Sequence, residues 1–313
     1  MPEKVKIGVI GVGELGQHHA RIFSTMPGVS LEWVADINGV RAAKIAERYH
    51  AQWVTDYRHA INKVQAVSIV VPTRLHYEIA RDCLNAGLHV LVEKPITPSL
   101  AEAEELLSIS SAKELVLQVG HIERFNAAIQ ELQKHIRNPK LIEVERLGPF
   151  NPRTSDVGVV LDLMIHDIDI ILNIVKMPVA RIDAIGMSIL SSFEDVASVR
   201  LEFGNGCVAN ITASRVHREK ARRMMIFQEN LYAMIDYVSQ DITLYRHDPA
   251  RKAPEDPQGS IIIEKVPLVK DEPLKLELED FIDCIRSGEE PLVSGRDAKA
   301  ALDIGLQALK KIK

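Results

Sequence analysis

The sequence predicts an α/β protein, in which a doubly wound parallel sheet is followed by an α+β domain with an open, mostly antiparallel sheet. Up to residue 122, short apolar runs alternate with helical patterns, as in parallel strands buried on both faces. After residue 126, most segments alternate apolar and polar residues, as in antiparallel strands with one solvated face. We therefore expect two domains, covering residues 1–122 and 123–313.

The first domain is predicted to alternate strands and helices throughout. The strands are expected at residues 5–11, 30–35, 51–54, 66–71, 88–92 and 114–119, with helices at 14–26, 39–48, 57–63, 76–86 and 99–111. Asp56 can cap the third helix, and Gly87 can end the fourth. Ser99 and Glu102 form a capping-box pattern at the start of the fifth.

The second domain is predicted to begin with a helix, a strand, a polar loop and a longer helix, at residues 126–136, 141–147, 148–156 and 159–175. Strands follow at 181–189, 197–203, 207–214, 222–228 and 231–237, with weaker runs at 242–245 and 260–267 on either side of a polar loop. Asn205 and Gly206 predict a hairpin turn. Helices are expected at 273–286 and 296–311. An alternative for the second of them is that it packs on the first domain.

The composition indicates a globular protein of the cytoplasm. The chain has 313 residues, of which 46% are apolar and 26% charged, and its net charge of −5 implies neither nucleic-acid nor membrane binding. Cys83, Cys207 and Cys284 are too far apart for a metal motif or a disulfide framework. We also expect no transmembrane segment, because no apolar run reaches membrane-spanning length, and no signal peptide, because Met1 leads almost directly into the first strand.

Gly11, Gly13 and Gly16 have the G-x-G-x-x-G spacing of a Rossmann dinucleotide-binding turn. They lie between an apolar strand and a helical pattern, where a glycine turn lets a pyrophosphate approach the backbone and the helix N-terminus. The turn also contains Glu14 and Leu15, which we include among the cofactor-binding residues.

Asp36 lies at the end of the second apolar run, 20 positions beyond Gly16. An acidic residue at this position accepts hydrogen bonds from the adenosine ribose and repels a 2′-phosphate. The sequence therefore predicts NAD as the cofactor, while Arg41 keeps NADP open as the alternative.

Polar residues follow three of the predicted strands, at the edge where open α/β sheets bind ligands. After the fourth and fifth strands they are Pro72, Thr73, His76, Glu93 and Lys94, which we expect to contact the cofactor. After the sixth strand they are His121, Arg124 and Asn126. A lysine at the end of a buried strand can polarise a substrate hydroxyl, although most lysines are merely solvated. Pro95, which follows Lys94, could form a cis peptide bond.

A second group of candidate residues lies on the predicted helix at 159–175. Asp162 and His166 are four positions apart and share a helix face, and Asp169 follows one turn later. A carboxylate beside an imidazole orients it and raises its basicity, as a general base requires. The alternatives are a buried core histidine or a metal site. We expect no metal, because the sequence has no HExxH motif and no Cys–His set.

Together these residues resemble the glucose–fructose oxidoreductase and inositol dehydrogenase family, the Gfo/Idh/MocA oxidoreductases. The resemblance rests on the glycine turn, Asp36, Pro72-Thr73-x-x-His76, Glu93-Lys94-Pro95 and Asp162-x-x-x-His166-x-x-Asp169, and it covers nearly the whole chain. It implies NAD(P)-dependent oxidation of a sugar or polyol, with Lys94 and His166 catalytic and Asp162 supporting His166 or binding substrate. Met164 differs from the glycine that this family often has two residues before the histidine.

The segments 120–126 and 148–167 look like the family branch that oxidises the 3-hydroxyl of UDP-N-acetylglucosamine. The diphosphate of a nucleotide sugar needs cations, and the candidates are Arg153 and the basic cluster at residues 215–223; the alternative is that this cluster is only a solvated strand connection. We expect His121, Arg124 and Asn126 to contact the sugar.

We expect His166 to be the base and Lys94 to hold the same substrate oxygen, although the reverse assignment is open. The other possibilities are an inositol-type dehydrogenase, an NAD-dependent glycosidase and a non-catalytic NAD-binding regulator. The open sheet also predicts a homo-oligomer, a dimer or a tetramer.

Overall fold

The structure, a computed structural model, describes residues 4–150, 157–248 and 260–312. The chain divides into two compact units. Unit 1 comprises Met1–Ile122 with Glu272–Ala300, and unit 2 comprises Glu123–Asp271 with Ala301–Lys313.

Unit 1 contains a parallel sheet of six strands. They are β1 (Val5–Ile10), β2 (Val29–Ala35), β3 (Gln52–Val54), β4 (Ala66–Ile69), β5 (His89–Glu93) and β6 (Leu117–Gly120). Their order is β3-β2-β1-β4-β5-β6, which is the order of a Rossmann sheet. The strand order reverses beside β1, so ligands are expected at the carboxyl ends of β1 and its neighbours. The predicted fold class of this region is confirmed.

Four helices connect these strands: α1 (Gly16–Thr25), α2 (Gly39–Tyr49), α3 (His76–Asn85) and α4 (Leu100–Ala112). The Ser99–Glu102 capping box is present at the start of α4, and Gly87 has a positive φ of 83° just after α3. The predicted helix at 57–63 is wrong, because the chain forms two short 3-10 turns there, Tyr57–His59 and Ile61–Lys63. Asp56 nevertheless caps the first turn, through the amide of Arg58.

Unit 2 contains an eight-stranded sheet. Its strands are β7 (Leu141–Leu147), β8 (Val179–Met187), β9 (Val196–Phe203), β10 (Val208–Ser214), β11 (Ala221–Gln228), β12 (Leu231–Asp236), β13 (Asp241–His247) and β14 (Ile261–Lys265). The order is β14-β13-β12-β11-β7-β10-β9-β8, and the β7–β10 pair is the parallel one among antiparallel neighbours. The mostly antiparallel second sheet is therefore also confirmed.

Helices α5 (Ala127–His135) and α6 (Ile165–Val175) supply residues to the same hydrophobic core as the buried face of this sheet. Along β9 and β10, buried residues alternate with half-buried or exposed ones. Three aromatic side chains stack across neighbouring strands, Phe227 on Tyr232 and Tyr232 on Tyr245, with ring centroids 4.7 Å apart in each pair. All three rings are only partly buried.

Helices α7 (Pro273–Ser287) and α8 (Gly295–Lys311) end the chain. Sequence analysis placed residues 272–300 in the second domain, whereas the structure joins them to unit 1. The reason is packing, since Leu278 and Phe281 of α7 are fully buried in the core formed by β1, β2 and α1. Among the described residues, no helix combines the length and the apolar character that crossing a bilayer requires.

Candidate active site

The glycine turn after β1 is shaped by two close backbone approaches. Gly11 has a φ of +86°, and a Cβ there would lie 2.1 Å from the carbonyl oxygen of Val70. A Cβ on Gly16 would lie 1.9 Å from the carbonyl oxygen of Gly11, so α1 can start here only with glycine. Both residues are therefore required by the fold itself.

Gly13 differs from these two glycines, because a Cβ there would meet nothing within 4 Å. The fold leaves open space over this residue, as backbone contact with a pyrophosphate requires. Helix α1 begins directly afterwards, and its N-cap residue Leu15 provides no side-chain acceptor for the first amides. An anion is favoured at such a helix end, so this turn fits a dinucleotide.

Asp36 is buried at the end of β2 and is tied to the glycine turn. Its carboxylate accepts hydrogen bonds from the amide of Val12 at 3.0 Å and from the amide of Asn38 at 2.8 Å. Arg41 donates to both oxygens of the same carboxylate, at 3.0 Å each. Since Arg41 is neutralised by Asp36, the pair offers no spare cation to a 2′-phosphate. In the sequence, Asp36 favoured NAD and Arg41 favoured NADP. In the structure the two side chains form one ion pair.

The segment after β4 is connected to the segment after β5 by His76. Its two ring nitrogens lie 2.8 Å from the carbonyl oxygens of Pro95 and Val71. Burial lowers the pKa of His76, and a neutral ring donates to one of these carbonyls at a time. The Lys94–Pro95 bond is cis, as the sequence allowed. His76 thus fixes the backbone beside Lys94, and half-buried Thr73 lies in the same turn.

Glu93 connects Lys94 to a buried polar chain that sequence analysis missed. Its Oε1 lies 3.4 Å from Nε2 of His19, whose Nδ1 lies 2.8 Å from the hydroxyl of Ser68. A Cβ on Gly120 would lie 2.8 Å from the Glu93 carboxylate, so glycine leaves room for it. Burial acts to raise the pKa of Glu93, but His19, Lys94 and His76 outweigh burial and lower it. A buried carboxylate anion therefore lies next to Lys94.

A second acidic residue behind this chain is Glu277 on α7. It is fully buried, and its carboxyl oxygens accept no hydrogen bond from any described residue. Burial, and then the charges of Glu93 and Asp280, raise its pKa well above the ordinary value. Both effects favour the protonated form of Glu277. The sequence of α7 could not predict the burial of Glu277, because a helical pattern does not show which sheet the helix covers.

In unit 2, Asp162 lies just before α6 and His166 lies within it. Asp162 is in a π-helical turn, Val160–Met164, and His166 is buried in the first turn of α6. The predicted uninterrupted α-helix is thus wrong at its start, because the turn that carries Asp162 is π-helical. Single π turns often occur at functional sites, which is consistent with a role for both residues.

The β8–β9 loop holds this π turn in place. The backbone oxygen of Glu194 accepts a hydrogen bond from the amide of Val159 at 3.0 Å, and its side chain accepts one from Val160 at 3.1 Å. A Cβ on Gly158 would lie 1.9 Å from the Glu194 carboxylate. Glycine at 158 is therefore what allows Glu194 to cap the helix that carries His166.

Next to His166, Asp167 belongs to a buried ion network that sequence analysis also missed. Arg146 on β7 donates to both oxygens of Asp167, at 2.7 and 2.8 Å, and to Glu123 at 2.8 Å. Its guanidinium lies 5.0 Å from the ring centroid of Tyr237. The network anchors α6 to the sheet directly beside His166.

The predicted sugar-contacting residues have different surroundings. Arg124 is buried with its Nη1 3.4 Å from Asp169, so Asp169 pairs with Arg124. Asn126 caps α5 and donates to the carbonyl of Tyr237 at 3.1 Å. His121 is buried after β6 in unit 1.

The basic cluster at 215–223 separates into residues with different roles. Arg215 is buried, and it donates to Asp195 at 2.7 Å, to the carbonyl of Val157 at 2.8 Å and to Ser191 at 2.9 Å. The prediction that Arg215 binds the diphosphate is therefore wrong, because its donors stabilise the β8–β9 loop. Arg153, the other candidate, lies outside the described residues. Within the described part of the chain, no group of three or more His, Cys, Asp or Glu could hold a metal ion.

Comparison with known families places both units. A family model described as "Oxidoreductase family, NAD-binding Rossmann fold" matches residues 5–121. A second, described as "GFO/IDH/MocA C-terminal domain", matches residues 128–231. The chain belongs to the Gfo/Idh/MocA family of oxidoreductases. The resemblance noted in the sequence is thereby confirmed, and so is NAD as the cofactor.

This Gfo/Idh/MocA protein has relatives of known activity along its whole length. It is 37% identical over 304 residues to UDP-N-acetylglucosamine 3-dehydrogenase of Acidithiobacillus ferrooxidans, covering 97% of this chain and 96% of that protein. A solved structure of that enzyme, GnnA, has a TM-score of 0.92 and covers 99% of this chain and 98% of its own. Myo-inositol 2-dehydrogenase of Thermotoga maritima is 26% identical over 328 residues, covering 98% and 96% of the two chains.

A substitution at Gly13 tests the dinucleotide turn. We expect Gly13→Ala to fold normally, because its methyl group meets open space, and to weaken NAD binding about tenfold or more, because that space is needed by the pyrophosphate. Isothermal titration with NAD measures the effect. Gly204→Ala is the control, since a Cβ there also meets only ordinary contacts, away from the turn. Unchanged NAD affinity in Gly13→Ala would contradict this placement of the cofactor.

Glu277 makes the stability of the Gfo/Idh/MocA protein depend on pH. A carboxyl group whose pKa is raised by folding holds its proton in the folded state after the unfolded state has lost it. Wild-type stability should therefore fall, relative to Glu277→Gln, as pH rises above the ordinary value of 4.5. Urea denaturation of both proteins at about pH 4 and about pH 8 measures this difference. The glutamine variant should be the more stable at the higher pH only, and equal differences at both would refute the buried proton.

Proposed function

We propose that this oxidoreductase oxidises a sugar hydroxyl of a nucleotide sugar, with the 3-hydroxyl of UDP-N-acetylglucosamine as the preferred candidate. The observation that supports this most directly is the 37% identity over 97% of the chain to an enzyme named for that reaction. The predicted catalytic residues lie at structured positions that suit this chemistry. Lys94 directly follows β5, Asp162 lies in the π turn before α6, and His166 lies in the first turn of α6.

Bound NAD would supply the hydride acceptor for the sugar carbon, and the protein supplies binding, orientation and proton transfer. The glycine turn and Asp36 hold the dinucleotide. Lys94 lies beside the anionic Glu93 and polarises the substrate oxygen. His166 accepts the hydroxyl proton, and Asp162 orients His166 or binds a neighbouring hydroxyl. In the reverse assignment, Lys94 is the base and His166 holds the oxygen.

An inositol-type polyol dehydrogenase is the second candidate function. It is supported by the full-length similarity to myo-inositol 2-dehydrogenase of Thermotoga maritima, at lower identity.

We further propose that the protein acts in the cytoplasm as a homo-oligomer. The stacked, partly exposed rings of Phe227, Tyr232 and Tyr245 give the sheet of unit 2 an apolar surface that suits a second copy of the chain.

NADH formation distinguishes these functions. The purified protein is incubated with NAD and, in parallel, UDP-N-acetylglucosamine, UDP-glucose, N-acetylglucosamine or myo-inositol, and the absorbance of NADH is followed. 2-Oxoglutarate is added in a second series, because bound NADH can be recycled in place. Reduction of the product with borodeuteride and NMR then locates the oxidised carbon. Deuterium at C3 supports the proposal, whereas activity with myo-inositol alone would favour the second candidate.

A further inference from the structure

Arg222 is the member of the basic cluster that lies on the same sheet face as the α6 ion network. On β11 it is paired directly with Arg146 of β7, and cross-strand partners share a face. Arg146 reaches Asp167 of α6 from this face. The next residue, Arg223, is paired with exposed Glu145, and the alternation of strand side chains puts it on the opposite face. Two adjacent arginines thus lie on opposite sides of one sheet.

The guanidinium groups of Arg146 and Arg222 differ in how fully they are used. Arg146 makes three hydrogen bonds of 2.7 to 2.8 Å and is buried. Arg222 approaches Glu123 at 3.5 Å, on the oxygen that Arg146 already contacts at 2.8 Å. The side chain of Arg222 remains 37% exposed. An arginine has five N–H donors, so most of those of Arg222 are available to an incoming group.

Charges of both signs surround Arg222. Burial, and then the neighbouring charge of Arg146, lower the pKa of Arg222, while Glu123, Asp167 and Asp162 oppose this effect. Two of these carboxylates, Asp167 and Glu123, are already bound by Arg146 at 2.7 to 2.8 Å. The influence of Asp162 also shows that Arg222 lies within electrostatic range of the π turn that precedes His166. A partly desolvated guanidinium of this kind binds phosphate oxygens strongly, through paired N–H donors.

We propose that Arg222 binds the diphosphate of the substrate and thereby selects nucleotide sugars over neutral sugars and polyols. This inference rests on the proposed function and adds the residue that determines the substrate class. It also divides the basic cluster by role, since Arg215 stabilises a loop, Arg222 recognises the anion and Arg223 is solvated on the other face.

The test compares Arg222→Gln with its neighbour Arg223→Gln, which removes the same charge from the opposite face. We expect Arg222→Gln to raise the KM for UDP-N-acetylglucosamine about 10- to 100-fold, as loss of a charged hydrogen bond does. Arg223→Gln should stay within about twofold of wild type, in keeping with an exposed position. Arg222→Lys should be intermediate, because it keeps the charge but loses the planar fork. Thermal unfolding of each variant checks folding, and Arg222→Lys carries the test if the glutamine variant is unfolded.

Calorimetric titration of each protein with UDP alone measures binding without turnover. Wild type and Arg223→Gln should bind UDP equally, and Arg222→Gln should bind it more weakly by the same factor as its KM rises. Equal weakening in both variants would show a general charge effect and overturn the inference. If wild type oxidises UDP-N-acetylglucosamine and Arg222→Gln keeps its KM, the inference fails while the proposed function stands. If wild type neither binds UDP nor oxidises a nucleotide sugar, both fail.

Discussion

Lys94→Ala and His166→Ala are each expected to reduce kcat about 10²- to 10⁴-fold while NAD binding persists, the range typical of a positioned acid or base. Lys94 is held by the backbone that His76 fixes and lies next to the anionic Glu93. His166 is buried on a helix that Arg146 and Glu194 anchor. Neither residue belongs to the glycine turn or to Asp36, so dinucleotide affinity should be retained.

Steady-state kinetics with the nucleotide sugar and NAD titration measure both effects. Lys44→Ala and His59→Ala are the controls, because they remove the same side chains from exposed positions. The pH dependence of kcat/KM then assigns the base. The variant that lacks the base loses the acidic limb of the profile, and the other variant keeps it. A catalytic rate close to that of wild type in either alanine variant would remove that residue from the mechanism.

Arg146→Met is expected to reduce the free energy of unfolding by about 3–5 kcal/mol, because it leaves Asp167 buried without its partner. The double variant Arg146→Met, Asp167→Leu should recover much of this loss, since a buried pair replaced by apolar groups is often tolerated. Urea denaturation measures both proteins. The exposed pair of Arg200 and Glu202 provides the control, where Arg200→Met should change stability by no more than about 1 kcal/mol. A loss as small as that in Arg146→Met would show that the network does not stabilise the fold.

Local sequence signals predicted those features that depend on neighbours in the chain. The glycine turn was readable because Gly11 needs its positive φ and Gly16 is required by a close approach to Gly11, which is near it in the chain. The Ser99–Glu102 capping box and the positive φ of Gly87 are likewise local. The alternation of strands and helices gave both sheets, since periodicity reports which faces of an element are buried.

Features that depend on distant partners could not be predicted. Arg146 and Asp167 are 21 positions apart and on different elements, so nothing in the sequence pairs them. Arg41 looked like a signal for NADP until the structure paired it with Asp36. Arg215 looked like a free cation until its three partners were seen. A charged side chain shows its type in the sequence, but its role depends on which opposite charges the fold brings to it.

The assignment of residues 272–300 to unit 1 has a consequence for synthesis of the protein. Leu278 and Phe281 complete the core around β1 and α1, yet all of residues 123–271 are translated before them. Unit 1 therefore cannot finish folding on the ribosome until those residues of unit 2 have been made. Until then its apolar surface is exposed, which is the condition under which nascent chains engage chaperones or aggregate. A fragment that ends at residue 122 should for the same reason be insoluble, and adding the 272–300 segment through a short linker should rescue it.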